Sequence, residues 1–429
     1  MTTVVSALSV EGASAQLLAS IPPGSDLIVP IGQGEPQTLL DLLESHADQL
    51  HGVRVHRMDP FVERRYIRGE FGSHLRHVDY YLGPASRQAY WDGQCDLVPN
   101  HFSEMPLLLR KATKRTLVLA AAAGPDEHGY FSLGMNADYV ASMIGEVPFF
   151  LEVSAAVPFT YGQNQVHASQ VAGWIRTDRA LPPLHHRTPN ELDHRIAAHV
   201  ADLIPDGACL QVGVGGTPDA LLTALDGHRD LGIHTECLAA GLVRLVEKGV
   251  VTGARKKQLP GKHVTTFCLG DEEMVGWLNH NAAVELMPVN WTNDPRVVAE
   301  EPNFVSINAT TEVDLMGQAA SETIAGRYYS SSGGQADFAR GAMYSPGGKA
   351  FLVLHSTTSE GRGRIRTHLT EGSVVTTLKN TVDHIVTEYG VASLRGRSVA
   401  ERARALIAIA HPEHRDELRF NAQRDGLLP

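Results

Sequence analysis

The stretch Ile204–Leu222, IPDGACLQVGVGGTPDALL, decides the fold, because the earlier stretch Ile21–Leu40, IPPGSDLIVPIGQGEPQTLL, repeats it in outline. In each copy a Pro-Gly turn leads into a short apolar run, then a glycine-rich bend, then a proline that opens an amphipathic segment. This order predicts a strand, a glycine loop and a helix. The repetition therefore predicts a duplicated chain with two similar open α/β domains and mainly parallel sheets.

The segment that follows each copy has the pattern of a second strand. It reads GVRVHRM at Gly52–Met58 in the first copy and LGIHTECL at Leu231–Leu238 in the second. Only the second segment carries an acid at its predicted end, Glu236. Because ligands and reacting groups gather at the carboxyl ends of strands in open α/β sheets, Glu236 is the first candidate for a catalytic residue.

The linker between the two copies contains ProPro and a capping-like ThrProAsnGlu at Thr188–Glu191, which predicts the start of a helix. We therefore expect an N-terminal domain at residues 1–185 and a C-terminal domain at 186–429, with the active site in the cleft between them. The tail has helical periodicity broken at Pro412, which predicts two helical pieces. Apolar runs predict further strands at 117–123, 147–153, 264–269, 304–308, 351–354 and 384–387.

Composition excludes several classes of protein. The 429 residues are 43% hydrophobic and 20% charged, and no apolar stretch approaches the roughly 20 residues that a bilayer span needs. The formal charge of −11 argues against nucleic-acid binding, which needs clustered basic residues. The N-terminus lacks the pattern of a secretory signal, so we expect a cytoplasmic protein.

The sequence offers little for a metal ion. The cysteines lack CxxC spacing, and no acid or cysteine stands at ligand spacing from His185 and His186. We therefore expect reduced, mostly buried thiols and no metal site. The cysteines are Cys95, Cys209, Cys237 and Cys268.

Two glycine-rich bends could present backbone amides to an anion. GVGGTP at Gly213–Pro218 lies at a predicted strand-to-helix bend. A dinucleotide-binding fingerprint would have its last glycine where Pro218 stands, which argues against this motif. Glu236 does lie about 20 residues further on, where the motif has its acid, so an oxidoreductase stays an alternative. The second bend, Ser330–Ala342, offers amides to a developing oxyanion or forms a tight surface turn.

Three glutamates stand in contexts that suit a reactive carboxylate. They are Glu236 after IHT, Glu312 in INATTEVDLMGQ and Glu388 in IVTEYG. Each of them would equally suit a helix cap or an ion pair. Residue types and spacing alone therefore do not rank the three.

Longer strings resemble a known family. LGIHTE, FCLGDEEMVGWL, PVNWTNDP, FVSINATTEVDLMGQ, GGQADFARGA and HIVTEYGVASLRG are similar to segments of the acetyl-CoA hydrolase/transferase family of class I CoA-transferases, especially its 4-hydroxybutyrate CoA-transferase-like branch. Leu75–Pro106 and Gly124–Gly134 resemble family segments more loosely. The sequence departs from the family pattern at two places, both of which bear on the choice of acceptor. The second loop has SSSGG where many relatives have a G-x-GG form, and Phe159 stands where relatives often have arginine.

The resemblance implies roles for particular residues. Glu236 would be the nucleophile, and the amides of Val214 and Gly334 would stabilise oxyanions. The neighbouring loop residues that would contact the substrate or CoA are Gly213, Gly215, Gly216, Gly333 and Gln335.

The implied reaction moves CoA from an acyl-CoA of the acetyl, butyryl or succinyl class to 4-hydroxybutyrate or to a dicarboxylate such as itaconate. It would pass through an acyl-glutamyl anhydride and a glutamyl-CoA thioester. A carboxylate near its ordinary pKa of about 4.3 would be ionised at neutral pH and would need no histidine partner. We expect a homodimer and no cofactor other than CoA itself, which is a substrate.

Two alternatives remain at this point: an acyl-CoA hydrolase that uses the same glutamate, and a non-catalytic acyl-CoA-binding protein. The first half adds a hypothesis on specificity. Loops at Gly32–Pro36 and Met58–Arg68 would close over the acyl group, and Arg64, Arg65 or Arg68 would pair with a second carboxylate on the acceptor. A set of surface arginines is the simpler interpretation of the same pattern.

Overall fold

The computed structural model describes residues 6–184 and 188–429, which pack as two compact units. The first unit holds the described residues up to Leu184 together with Val264–Thr292, and the second holds the remainder. The predicted domains, 1–185 and 186–429, are contiguous. The structure instead places residues 264–292 in the first unit, because Phe267 and Leu286 bridge to Asn136 and Gly162 there.

Strands and helices alternate along most of the described chain. The strands are β1 Asp26–Ile28, β2 Val53–Arg57, β3 Leu75–Asp79, β4 Asp96–Leu97, β5 Leu117–Ala122, β6 Tyr130–Ser132, β7 Phe149–Ser154, β8 Gln165–His167, β9 Val171–Thr177, β10 Cys209–Val212, β11 Gly232–Ala239, β12 His263–Leu269, β13 Val284–Leu286, β14 Phe304–Ala309, β15 Glu312–Asp314, β16 Ala319–Ala320, β17 Thr323–Ile324, β18 Arg327–Tyr328, β19 Lys349–Val353, β20 Ile365–Arg366, β21 His384–Thr387 and β22 Gly390–Ser393.

The helices supply the crossovers between parallel strands. They are α1 Val10–Ala19, α2 Gln37–Ser45, α3 Arg87–Trp91, α4 Met105–Ala112, α5 Glu191–Ala201, α6 Gly216–Ala224, α7 Ala240–Glu247, α8 Glu272–Leu278, α9 Val289–Thr292, α10 Pro295–Val298, α11 Gln335–Tyr344, α12 Val399–Ile409 and α13 Arg415–Arg424. Short 3₁₀ turns lie at Gly32–Gly34, Ala47–Gln49, Phe102–Glu104, Ala141–Met143, Ala168–Gln170 and Pro412–His414.

The first unit is built on a parallel sheet with the strand order β4-β3-β2-β1-β5-β7-β9. Both faces are apolar, and all six residues of β5 and of β7 are buried. Side chains of α1 and α2, including Leu17, Leu39 and Leu43, pack into this core. Burial on both faces is why these strands appear in the sequence as continuous apolar runs.

The second unit contains six strands in the order β11-β10-β14-β19-β21-β22. Neighbouring strands pair in parallel from β11 to β21, and β22 returns antiparallel to β21. Strand β10 lies between β11 on one side and β14 on the other. The strand order therefore reverses at β10, which is the point where open α/β sheets bind their ligands.

The predicted duplication is confirmed at the level of the two units. β1 leads through the 3₁₀ turn Gly32–Gly34 into α2, and β10 leads through Gly213–Gly215 into α6. The fold is therefore α/β with mainly parallel sheets, as expected. One expectation is wrong: Glu236 lies inside β11 rather than at its end, because the buried residues Cys237 and Leu238 continue the strand.

The remaining elements match the pattern of the sequence closely. The capping-like linker precedes α5, whose N-cap residue Asn190 forms a capping box with Asp193. The tail forms α12 and α13, separated by the 3₁₀ turn at Pro412–His414. The short antiparallel pairs β6–β8, β15–β16 and β17–β18 had no sequence signal of their own.

Candidate active site

Glu236 is held in the second unit by a side chain that is distant in sequence. Asn293 Nδ2 donates a hydrogen bond of 2.7 Å to Glu236 Oε2. Asn293 is fully buried, and Glu236 is partly buried. Because β11 fixes the backbone of Glu236 and Asn293 orients its carboxylate, the structure presents one carboxylate in a defined direction.

Gly334 approaches the same carboxylate through its backbone. It is the N-cap residue of α11 and its amide hydrogen-bonds to Glu236. A Cβ added at Gly334 would clash with Glu236 Oε2 and Asn293 Nδ2 and would lie 3.1 Å from Glu236 Cδ. Glycine is therefore required here by the close approach of a side chain and not by backbone dihedral angles, since φ is −94°.

The residues on either side of Gly334 belong to the same loop. Gly333 precedes it, and Gln335 begins α11. Gln335 is buried, and its Nε2 donates to Thr377 Oγ1 at 3.0 Å. This contact fixes the first turn of α11. The structure therefore brings Glu236 and Gly334 together, with Gln335 as a support for the loop.

The first glycine loop follows β10, at the reversal of strand order. Leu210 pairs with Ile233, so β10 lies beside the strand that carries Glu236. Val214 is 58% exposed. Gly215 has φ 132°, a conformation that side-chain-bearing residues rarely adopt. Because Gly216 begins α6, the loop Gly213–Gly216 ends at a helix N-terminus.

The electrostatic environment of Glu236 differs from the sequence-based expectation. Burial raises the pKa of Glu236 to about 7, with a further contribution from the nearby Asp337 carboxylate. Hydrogen bonds from Asn293 and Gly334 act in the opposite direction. The expectation of an ordinary pKa near 4.3 is therefore wrong, because it ignored burial. A carboxyl group that titrates near neutrality is typical of functional sites.

The raised pKa predicts a pH dependence. The nucleophilic role that the resemblance implies for Glu236 would require the ionised carboxylate, so its rate of reaction with an acyl-CoA should rise with pH and reach half its maximum near pH 7. Asp337→Asn removes a negative charge and should move the midpoint to lower pH. Rapid-quench measurement of the donor acid released from the acyl-CoA between pH 5 and 9 checks both effects. A rate that is flat across this range would contradict the raised pKa.

The other two glutamates named from the sequence have structural partners. Glu312 accepts hydrogen bonds from Thr370 and Ser373 and pairs with Arg366. Glu388 accepts from the amide of Ser356 at 2.9 Å and from its hydroxyl. Both carboxylates tie loops together. Glu236 instead accepts from Asn293 Nδ2 and from the Gly334 amide, which lie in two of the segments that carry the resemblance.

The three arginines named from the sequence for acceptor binding are paired with carboxylates of the chain. Arg64 is buried and donates to Glu35 at 2.9 Å and to Asp41 at 2.8 Å. Arg65 and Arg68 both bond to Glu70. These contacts give no support to binding of a second acceptor carboxylate, which stays a prediction. The buried Glu35 thus joins the loop at Gly32–Pro36 to Met58–Arg68 through Arg64, and it also accepts from Arg57 at the end of β2.

The Glu35 ion pairs predict a large effect on stability. Arg64→Met would leave Glu35 buried with one cationic partner, and we expect a loss of about 3 kcal/mol in the free energy of unfolding. Arg65→Met is the matched control, since Arg65 is exposed and pairs with the exposed Glu70. Urea denaturation compares the two. Equal midpoints for both variants would contradict the structural role of Arg64.

Sequence reasoning missed Asn293 and Asp337. Both lie inside strings that carry the resemblance, PVNWTNDP and GGQADFARGA, but neither had a role. Asn293 is 57 positions from Glu236 in the sequence. The only available signal was membership of a long matching string. Packing of the second unit is what brings these residues to the carboxylate.

Metal sites, membrane spans and cysteines can be checked in the part of the chain that the structure describes. Within residues 6–184 and 188–429, no cluster of three or more His, Cys, Asp or Glu side chains is placed to hold a metal ion. His185 and His186 lie outside the described residues. Among the described helices, none is both long enough and apolar enough to cross a membrane. The free thiols are buried: Cys95, Cys209, Cys237 and Cys268.

Comparison with known proteins gives consistent matches over nearly the whole chain. The acetyl-CoA hydrolase/transferase C-terminal domain matches residues 270–422. Succinyl-CoA:cyclohexane-1-carboxylate CoA transferase from Geobacter metallireducens is 38% identical over 408 residues, 95% of this chain and 93% of the relative. 4-Hydroxybutyrate coenzyme A transferase from Clostridium kluyveri is 37% identical and is matched over 90% of each chain. The crystal structure of RipA from Yersinia pestis superposes with a TM-score of 0.89 at 33% identity, covering 97% of each chain.

Proposed function

Because the chain belongs to the acetyl-CoA hydrolase/transferase family and is a class I CoA-transferase acting on acyl-CoA and carboxylic acids, we propose that Glu236 is its covalent nucleophile. The observation that carries the proposal is the single oriented carboxylate between Asn293 Nδ2 and the Gly334 amide. Its pKa of about 7 leaves a reactive carboxylate available at neutral pH.

In the proposed transfer of CoA, each bond formed is matched by a bond broken, and no cofactor takes part. The Glu236 carboxylate attacks the thioester carbonyl and expels CoA thiolate, which leaves an acyl-glutamyl anhydride. The thiolate then attacks the glutamyl carbonyl, releases the donor acid and forms a glutamyl-CoA thioester. The acceptor carboxylate attacks this thioester, and the two steps run in reverse to give the new acyl-CoA. Coenzyme A is thus a substrate, and the reaction needs no metal or prosthetic group.

Two kinds of donor would stabilise the tetrahedral intermediates. The Gly334 amide and Asn293 Nδ2 already contact the glutamyl carboxylate, so they suit an oxyanion formed on the glutamyl carbon. We propose that the Val214 amide, in the loop that follows β10, serves as a further donor, with the CoA chain running past Gly213, Gly215 and Gly216. Removal of one such donor typically costs on the order of 3 kcal/mol in transition-state stabilisation.

For the acceptor, we favour a monocarboxylic acid such as 4-hydroxybutyrate over a dicarboxylate such as itaconate. The relative from Clostridium kluyveri is named for 4-hydroxybutyrate. The first-unit arginines that would recognise a second carboxylate are engaged by Glu35, Asp41 and Glu70. Acetyl-, butyryl- and succinyl-CoA remain the proposed donors.

Steady-state kinetics with each donor and a panel of acids tests this assignment. A ping-pong mechanism gives parallel double-reciprocal lines, with kcat/KM highest for the monocarboxylic acids. Intersecting lines would contradict the covalent route, and higher kcat/KM for itaconate would contradict the acceptor assignment. Release of free CoA in the presence of saturating acceptor would instead indicate an acyl-CoA hydrolase that uses the same glutamate.

We also propose that the enzyme is a cytoplasmic homodimer, on the strength of the family resemblance alone. Sedimentation velocity at several protein concentrations checks the oligomeric state. A single species with the mass of two chains is expected, and a species of 46.5 kDa at all concentrations would contradict it.

A further inference from the structure

One buried carboxylate of the second unit joins three separate elements. Asp193, on the first turn of α5, is 1% exposed. Its Oδ1 accepts from Thr217 Oγ1 at 2.5 Å and lies 2.8 Å from His355 Nε2. Its Oδ2 accepts from the amide of Asn190 at 2.9 Å. The Oδ2 contact belongs to the capping box of α5, whereas the Oδ1 contacts reach outside that helix.

One Oδ1 contact reaches the residue that directly follows the glycine loop. Thr217 is the second residue of α6, directly after Gly213–Gly216. His355 lies two residues beyond the end of β19. β10 and β19 run parallel in one sheet with β14 between them, so both contacts are made at the carboxyl-end edge of this sheet. Asp193 therefore links the start of α6 to the segment that follows β19.

Backbone hydrogen bonds hold the two ends of the loop, from the Gly213 amide to the Ile307 carbonyl and from the Asp219 amide to the Gly215 carbonyl, but the side chains of the loop add little. Three of its four residues are glycines, and fixing each backbone residue costs on the order of 1–2 kcal/mol in conformational entropy. The side chain of Val214 is 58% exposed and gives little packing. Gly215, the N-cap residue of α6, has no side chain with which to cap the helix. Thr217, directly after the loop, is the side chain that anchors its α6 end, through the hydrogen bond to Asp193.

The hydrogen bonds that Asp193 accepts stabilise its ionised carboxylate. Burial raises the pKa of Asp193, but the bonds from Asn190, Thr217 and His355 outweigh burial, and the pKa lies below its usual value. The carboxylate is therefore ionised at neutral pH. Charge-assisted hydrogen bonds of this kind are stronger than neutral ones.

We propose that Asp193, supported by His355, is a positioning residue of the enzyme. Through Thr217 it fixes the glycine loop so that the Val214 amide points to the developing oxyanion. This inference rests on the proposed function, in which the Val214 amide is an oxyanion donor. Asp193 and His355 act through the loop and do not themselves touch the reacting atoms.

The first test replaces the anchored hydroxyl. Thr217→Val keeps the side-chain shape and removes the donor, and kcat should fall on the order of 10- to 100-fold with KM for the acyl-CoA changed less than threefold. Thr217→Ser should restore most of kcat. Thr223→Val is the matched control, because Thr223 lies on α6 and bonds only locally, to the carbonyl of Asp219 at 3.3 Å. Unchanged kcat in Thr217→Val, with a lowered melting temperature, would overturn the proposal.

The second test asks whether Thr217 acts through the amide. Val214→Pro deletes that amide, so a Val214→Pro/Thr217→Val double variant should lose no more kcat than Val214→Pro alone. Losses that multiply would mean that the two positions act independently, against the proposal.

Mass spectrometry distinguishes failure of the proposed function from failure of the positioning role. If the wild-type protein forms no glutamyl-CoA adduct on Glu236, the proposed function fails. If it forms the adduct and Thr217→Val forms it at the same rate, only the positioning role fails.

Discussion

Replacement of Glu236 by glutamine is expected to abolish CoA transfer, with kcat lower by on the order of 10⁴-fold or more, because removal of a covalent nucleophile has effects of this size. Glutamine keeps the size of the side chain and an oxygen that accepts from Asn293 Nδ2. It cannot form the anhydride or the glutamyl-CoA thioester. The measurement is the initial rate of acyl-CoA formation with 4-hydroxybutyrate as acceptor.

The stability of this variant separates chemistry from folding. The pKa of Glu236 is raised to about 7 in the folded protein, so the free energy of unfolding falls as the pH rises from 4.5 to 7. A glutamine does not titrate and does not lose this stability. Glu236→Gln should therefore melt at or above the wild-type temperature at pH 8. Glu247→Gln, at an exposed position on α7, is the control and should keep full activity. An active Glu236→Gln enzyme would exclude the covalent mechanism.

Gly334→Ala is expected to lower kcat on the order of 100- to 1,000-fold. The added Cβ would occupy the space of Glu236 Oε2 and Asn293 Nδ2, so the carboxylate must turn away from the Gly334 amide. The φ of −94° is accessible to alanine, and the backbone need not rearrange. Activity and circular dichroism together check that the loss comes from the site and not from unfolding.

A glycine in open space provides the control for Gly334→Ala. A Cβ added at Gly227, in the same unit, meets nothing within 4 Å. Gly227→Ala should therefore keep wild-type kcat and melting temperature. If Gly334→Ala were as active as Gly227→Ala, the close approach of Gly334 to Glu236 would have no catalytic meaning.

Local pattern made much of the fold predictable. The two copies of strand, glycine loop and helix follow from short apolar runs bounded by glycine and proline, and their bounds in the structure agree closely. The helix at Glu191–Ala201 follows from its capping residues. Residues 264–292 could not be assigned to the first unit, since the bridges from Phe267 and Leu286 join segments more than 100 positions apart.

The candidate site was predictable only in part. Glu236 and Gly334 stand in strings with a strong resemblance, and the structure brings the two together. The role of Asn293, the raised pKa of Glu236 and the pairing of Arg64 with Glu35 all depend on packing between distant segments. Asp193 illustrates the same limit, because its capping role is local but its bonds to Thr217 and His355 are not.

The most direct test of the central claim is peptide mass spectrometry after the protein is mixed with acetyl-, butyryl- or succinyl-CoA without an acceptor acid. The account predicts a CoA adduct, formed with loss of water from the free carboxyl group, on the peptide that contains Glu236. The adduct should disappear when acceptor acid is added and should be absent in Glu236→Gln. An active enzyme that carries no adduct on this peptide, or carries one on another glutamate, would contradict the account.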